Sequence, residues 1–172
     1  MTGFFVKYFR MKAFLVLFLI LTTPVPVSAL ETEGFTPLTQ AVANETAEEY
    51  LISTLLRHGA DINALDDQGR DALMLAAMHN PHPAVIAALI NGGMDPNARK
   101  RDTGETALFF AVKFTKNPDI VRALLNNGAD QDIRDVFGRT AYDYFDRNPA
   151  LRGTEVEMLF KGCRRPPEPD NG

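Results

Sequence analysis

The feature that most constrains this 172-residue chain is a stretch that returns: TLLRHGADINALD at 54–66, ALINGGMDPNARK at 88–100 and ALLNNGADQDIRD at 123–135. Each has a pair of aliphatic residues, a short polar pair, a glycine, and then a segment bearing Asp and Asn. Aligned on glycine, the period is explicit. Gly34, Gly69, Gly104 and Gly138 lie 35, 35 and 34 residues apart, and Gly59, Gly93 and Gly128 lie 34 and 35 apart. A repeat of this length implies one supersecondary unit copied along the chain. Such a unit cannot bury its own apolar face and gains stability only by stacking on its neighbours.

Within the period the roles of individual residues can be read off. FTPL (35–38), RDAL (70–73), ETAL (105–108) and RTAY (139–142) follow the first set of glycines. Thr36, Asp71, Thr106 and Thr140 each carry a side-chain oxygen suited to capping a helix N-terminus, and Pro37 then occupies the first helical turn, where a missing N–H costs nothing. Leu38, Leu73 and Leu108 begin an apolar face that Ala41/Val42, Ala76/Ala77 and Ala111/Val112 continue. A second helix is predicted in each unit from the i, i+3, i+4 spacing of Leu51/Ile52 with Leu55/Leu56, Val85/Ile86 with Leu89/Ile90, and Ile120/Val121 with Leu124/Leu125. Pro81, Pro83 and Pro118 are expected between the two helices as breakers. Gly59, Gly93 and Gly128 are expected to end the second helices in a left-handed conformation, and stretches such as DINALDDQG (61–69) to form extended, hairpin-like turns. Asp61, Asp95 and Asp130 return at the same position, which marks them as turn-backbone partners and not as catalytic carboxylates.

This pattern resembles the ankyrin repeat. The family's D-x-x-G-x-T-P-L-H-x-A-A appears as ETEGFTPLTQAV, DDQGRDALMLAA, RDTGETALFFAV and DVFGRTAYDYFD, and its L-L-x-x-G-A-D-x-N appears as LLRHGADIN, LINGGMDPN and LLNNGADQD. The resemblance implies an all-α solenoid of stacked helix-turn-helix units with short hairpin-like turns. It spans a domain over 30–160, with units at about 31–65, 66–100, 101–134 and 135–160. The sequence departs from the family where His is absent from the T-P-L-H slot, held here by Thr39, Met74, Phe109 and Asp143. The turn between helices carries one or two extra residues. The fourth unit is degenerate, with Tyr142, Tyr144 and Phe145 in place of small or aliphatic residues, as expected of an end unit that meets solvent.

The two ends read differently from the repeats. Lys7, Arg10 and Lys12 precede the apolar run AFLVLFLIL (13–21), and TTPVPVSA follows with small residues at Val27 and Ala29, the layout of a secretory signal peptide over residues 1–29. The run is shorter than the roughly 20 residues a spanning helix needs. Cleavage after Ala29 is therefore preferred to a retained anchor, and the mature chain is expected in the periplasm or outside the cell, with no stable membrane insertion. Loss of this segment, with three basic and no acidic residues, takes the formal charge from −4 to −7. That acidity opposes a nucleic-acid partner, which requires a basic face, and RKR at 99–101 is too short to reverse it. Cys163 is the sole cysteine. It cannot form an internal bridge, so it is an intermolecular partner or a bystander thiol. The chain from about residue 161 reads as a Pro-rich, disordered tail, and a monomer is expected.

Chemistry is sparse. There is no G-x-S-x-G elbow, phosphate-cradling glycine loop or Cys–His pair in a credible context, so no catalytic residue, cofactor or metal is assigned and an enzyme is not expected. His79 and His82 in AMHNPHP could share a metal only on one helical turn, which Pro81 opposes. His58 suits a helix C-terminus. Phe109 and Phe110 are expected in the core between units.

By the resemblance, partner contacts come from the variable positions around the turn tip and just after the A-A pair. These are Glu33, Phe35, Ala43 and Asn44; Asp67, Gln68, Arg70, Met78 and His79; Asp102, Thr103, Glu105, Lys113 and Phe114; and Val136, Phe137 and Arg139. Within this set Phe35, Arg70, Met78, His79, Lys113, Phe114, Phe137 and Arg139 are the candidate protein-binding residues. Large apolar side chains there stand where a solvated surface would favour polar ones, with Arg and Lys beside them. Phe35 and Phe137 suit packing between units equally well, whereas Met78 and Phe114 favour binding. The expectation is an exported module that shields, inhibits or scaffolds an envelope protein through its concave face. A secreted effector acting on a host protein and a metal-dependent activity near His79 and His82 are the alternatives.

Overall fold

A computed structural model describes residues 36–44 and 46–161; the segment read as a signal peptide, Phe35, Cys163 and the Pro-rich tail lie outside the described residues. Helices α1 (Pro37–Val42), α3 (Ala72–His79) and α5 (Ala107–Phe114) alternate with α2 (Glu49–Arg57), α4 (Pro83–Asn91) and α6 (Pro118–Asn126). A 3-10 helix, Ala141–Arg147, and α7 (Glu155–Lys161) complete the described order. The first helix of each pair packs on the first helix of the next, and the second on the second, so the chain builds two parallel layers that advance unit by unit.

The capping residues explain where the first layer begins. Thr36 and Thr39 form a reciprocal box: the Thr39 amide donates to Thr36 Oγ1 (3.3 Å) and the Thr36 amide donates to Thr39 Oγ1 (3.1 Å), with Pro37 in the first turn. Asp71 Oδ1 accepts from the Met74 amide at 2.8 Å. At the fourth position the Asp143 carboxylate reaches back to the Thr140 amide (2.7 Å) and hydroxyl (3.0 Å). Thr106 departs from expectation. It stands at the N-cap of α5, but the Phe109 amide donates to the Thr106 carbonyl (3.0 Å), and the buried hydroxyl is left without a partner.

Burial follows from position in the stack. Residues Ala72–Ala77 of α3 and Ala107–Val112 of α5 are buried on every side, because each helix is flanked by two first-layer neighbours and backed by the second layer. Ala76, Ala77 and Ala111 are fully buried, and their lack of bulk sets the close approach. Phe109 and Phe110 enter this core as expected, Phe109 meeting Tyr144 edge-on at 6.0 Å. In the last pair Phe145 occupies the place of Ala76 and Ala111. It packs with Tyr142 (5.7 Å) and Phe160 (6.0 Å) into an aromatic cluster that spaces the 3-10 helix from its neighbours.

The second layer corrects one expectation. Pro83 and Pro118 do not lie between helices; they open α4 and α6 at the first turn, where the absent N–H has no intrahelical acceptor to lose. Pro81 alone sits in the connection. These helices end as expected at Gly59, Gly93 and Gly128, with φ of +83°, +108° and +91°, backbone that a Cβ would strain. Between units, the Asp66, Lys100 and Asp135 amides donate to the Arg70, Glu105 and Arg139 carbonyls (2.9, 2.8 and 2.8 Å), closing hairpin-like turns although no strand forms among the described residues. Asp61, Asp95 and Asp130 each accept from the amide two residues ahead at 2.8, 2.9 and 2.8 Å, the turn role their periodicity implies.

Units are also tied by asparagines. Asn80 Nδ2 donates to the Asn44 and Ala47 carbonyls (both 3.2 Å), and Asn148 Nδ2 to the Val112 and Thr115 carbonyls (3.0 and 2.9 Å). Asn44, expected to face a partner, therefore has its carbonyl engaged by the following unit.

Candidate functional site

Arg70, Glu105 and Arg139 each follow a turn glycine, and Met78, Lys113 and Arg147 lie eight residues beyond them, at or near the far end of a first-layer helix. In the structure these positions are linked across the helix. Arg70 Nη1 lies 3.7 Å from Met78 Sδ. Lys113 Nζ donates to Glu105 Oε1. In the last pair the link runs through an aromatic ring: Arg139 and Arg147 stand 5.7 Å and 5.1 Å from the Tyr144 ring centre, and Lys113 Nζ lies 3.9 Å from that same centre. The variable positions are thus linked across each first-layer helix, and the Tyr144 ring joins Lys113 to Arg139 and Arg147 by cation–π contact.

Charge along the stripe is unevenly spent. Arg70 is held by Asp66 at 2.6 Å and its side chain is largely covered, and Lys113 is held by Glu105. Asp135 accepts from the Tyr144 hydroxyl at 2.5 Å and from the Phe137 and Arg139 amides at 2.8 and 2.9 Å. Burial pushes the Asp135 carboxyl up, but those hydrogen bonds and the Arg139 charge outweigh it and hold it below the usual carboxylate range. The same contact, with burial, raises the Tyr144 phenol. Arg139 and Arg147 form no ion pair among the described residues.

The apolar candidates separate into two places. Phe137 is 71 % exposed at a turn tip, with the Arg139 guanidinium 5.4 Å from its ring and exposed Val136 beside it. Met78, His79 and Phe114 instead come together around a groove of about 450 Å³, closed by Asn80, Pro81, Thr115, Lys116 and Asn117. Phe114 is 48 % exposed there and leans on the buried Phe110 at 6.3 Å, while Met78 packs against the core with one side open. A smaller hollow of about 320 Å³ lies between two turns, against Ile62, Leu65, Met74 and Met94.

The arrangement offers exposed apolar and charged side chains with which to bind. Among the described residues no three His, Cys, Asp or Glu side chains converge as metal ligands, and His79 and His82 fall on different elements, at the end of α3 and before α4. No helix among those residues is long and apolar enough to cross a membrane. Sequence reasoning missed Tyr144 and Arg147, hidden inside what reads as a degenerate unit. Carrying the Met78 and Lys113 offset one period further would have reached Arg147. Lys116 and Asp135 offered no comparable signal.

The family model described as ankyrin repeats (3 copies) matches residues 12–100 and again residues 41–135. The first match begins inside the segment read from sequence as a signal peptide. No curated protein matches the chain. Ankyrin repeats are generally protein-binding modules, and the two-layer stack, the period and this match agree: the chain belongs to the ankyrin-repeat family.

Proposed function

We propose that the chain is an exported module that binds another protein through the first-layer face, with the groove between α3 and α5 as its anchor point. The observation that carries this reading is Phe114. It stands 48 % exposed beside Met78, in a stack whose other described first-layer aromatics are buried (Phe109, Phe110, Tyr144 and Phe145) or partly buried (Tyr142). An aromatic left in water beside a formed hollow, with charged residues around it, has the composition of a protein-binding hot spot. Export rests on the basic and apolar layout of residues 1–29, and an envelope protein is the corresponding partner. The last pair, Ala141–Lys161, is read as a terminal fourth unit whose aromatic cluster seals the stack. Co-purification from envelope and culture-medium fractions tests the reading. A partner should be recovered with the native chain and lost with Met78→Ala/Phe114→Ala. Recovery undiminished by that double variant would refute the site.

A further inference from the structure

The groove also constrains what it can hold. We propose that it accepts an extended peptide segment presenting a large apolar side chain next to a carboxylate, the apolar group seated between Met78, Pro81 and Phe114 and the carboxylate paired with Lys116. This rests on the reading of the groove as a binding site and adds the chemistry of its ligand.

First, in a chain with 22 acidic residues and a formal charge of −4, no acidic side chain among the described residues lines this groove, and the ionisable described residues that do are His79 and Lys116. Lys116 is exposed and makes no ion pair among the described residues. The nearest acids in sequence are committed elsewhere: Asp119 pairs with Arg122 at 3.1 Å, and Glu105 with Lys113. The polar lip, second, has little to offer a neutral ligand. Thr115 Oγ1 donates to the Asn117 carbonyl (3.2 Å) and accepts from the Asn117 amide (3.1 Å). Asn117 Nδ2 donates to the Pro81 carbonyl (2.8 Å), and Asn80 Nδ2 is consumed by Asn44 and Ala47. With these groups mutually satisfied, the ammonium of Lys116 is the principal donor left for an incoming anion, and the apolar walls supply contact area. Third, an open hollow of about 450 Å³ falls within the roughly 300–1,000 Å³ of ligand-binding clefts. Because the chain as a whole repels anions, attraction must come from this local pair and not from a steering field.

The test uses fluorescein-labelled synthetic peptides and the mature chain. One probe carries Leu flanked by Asp, a second carries Leu flanked by Asn, a third Leu flanked by Lys, and a fourth replaces Leu by Ala in the acidic frame. Fluorescence anisotropy should register the acidic Leu peptide, with binding weakened about fivefold to tenfold by Asn flanks or by Lys116→Glu, as expected for one partly desolvated charge pair. The Lys-flanked and Ala peptides should bind more weakly still. Phe114→Ala should abolish binding with unchanged far-UV circular dichroism, since the ring is half in water. Equal binding of the Asp- and Asn-flanked peptides overturns the proposal, as does indifference to Lys116→Glu. A concentration-dependent dimer that Phe114→Ala dissociates also overturns it, assigning the groove to a second copy. A co-purified partner that needs Phe114 but not Lys116 would leave the protein-binding function standing and remove this chemistry alone.

Discussion

Asn148 offers a demanding test of how the stack is held. Its side chain is 6 % exposed, donates through Nδ2 to the Val112 and Thr115 carbonyls at 3.0 and 2.9 Å, and accepts from the Ala150 amide at 3.0 Å. Asn148→Ala removes all three bonds and leaves two carbonyls of the preceding unit facing a small void. A buried polar group without a partner costs about 1–3 kcal/mol, and each net hydrogen bond contributes about 1 kcal/mol. Carbonyls at a helix C-terminus recover part of this from water, so the expected loss is about 2–4 kcal/mol, a large share of the roughly 5–15 kcal/mol that holds a domain folded. Contacts in a repeat stack are between nearest neighbours, so the loss should be local. Amides of Ala141–Lys161 should exchange faster while those of α3 and α4 keep their protection. Urea denaturation followed by circular dichroism gives the total, and hydrogen exchange with mass spectrometry gives the location. Asn80→Ala cuts the equivalent tie to Asn44 and Ala47, made at longer distances of 3.2 Å, and should cost less. A loss below about 0.5 kcal/mol for Asn148→Ala, well under one ordinary hydrogen bond, or faster exchange spread evenly over the chain, would refute the argument.

Further outcomes follow from the core, the caps and the aspartates. Phe109→Ala should lower stability by about 3–5 kcal/mol in the same urea assay, because a fully buried ring between two first-layer helices leaves a cavity. Thr106→Val should be neutral or stabilising by up to about 1 kcal/mol, since the hydroxyl it removes has no partner, whereas Asp71→Ala should cost about 1 kcal/mol by uncapping α3. Asp135 lies below its ordinary value of 3.8 in the folded chain, so its contribution is present above that value and lost as pH falls through the folded pKa; Asp135→Asn should flatten the acid limb of a stability–pH curve. Asp71 has the opposite sign: burial raises it above 3.8 despite the Met74 and Leu73 amides, so stability falls as pH rises from 3.8 toward its folded pKa, and Asp71→Asn should remove that fall.

The framework was legible because stacking forces recurrence. Gly59, Gly93 and Gly128 must each supply positive φ, and Asp61, Asp95 and Asp130 must each close the same turn, so period alone revealed their roles. Helix starts were read from capping chemistry, but Thr106 shows the limit. A threonine in the right slot does not cap when a competing carbonyl takes the amide. The prolines misled by a residue or two, since Pro suits both a break and a first turn. The candidate site was partly legible, in that Met78, His79 and Phe114 do meet in one groove. Its closing residues Pro81, Lys116 and Asn117 come from connections between helices, whose spatial convergence has no counterpart in helical spacing. Arg70 and Lys113 were legible as charges but not as spent ones, because their carboxylate partners lie four and eight residues away across a turn and a helix.

The most direct test of the account is the dissociation constant of the recovered partner for three variants, measured by isothermal titration. Phe114→Ala alters the groove, Lys116→Glu alters its charge, and Tyr50→Ala alters an equally large, 69 % exposed aromatic on α2 in the second layer. Phe114→Ala should weaken binding by about 2 kcal/mol or more, the threshold for a hot-spot residue. Lys116→Glu should weaken binding by a smaller step, and Tyr50→Ala should leave it unchanged. Loss with Tyr50→Ala and indifference to Phe114→Ala would place the partner on the other layer and contradict the account.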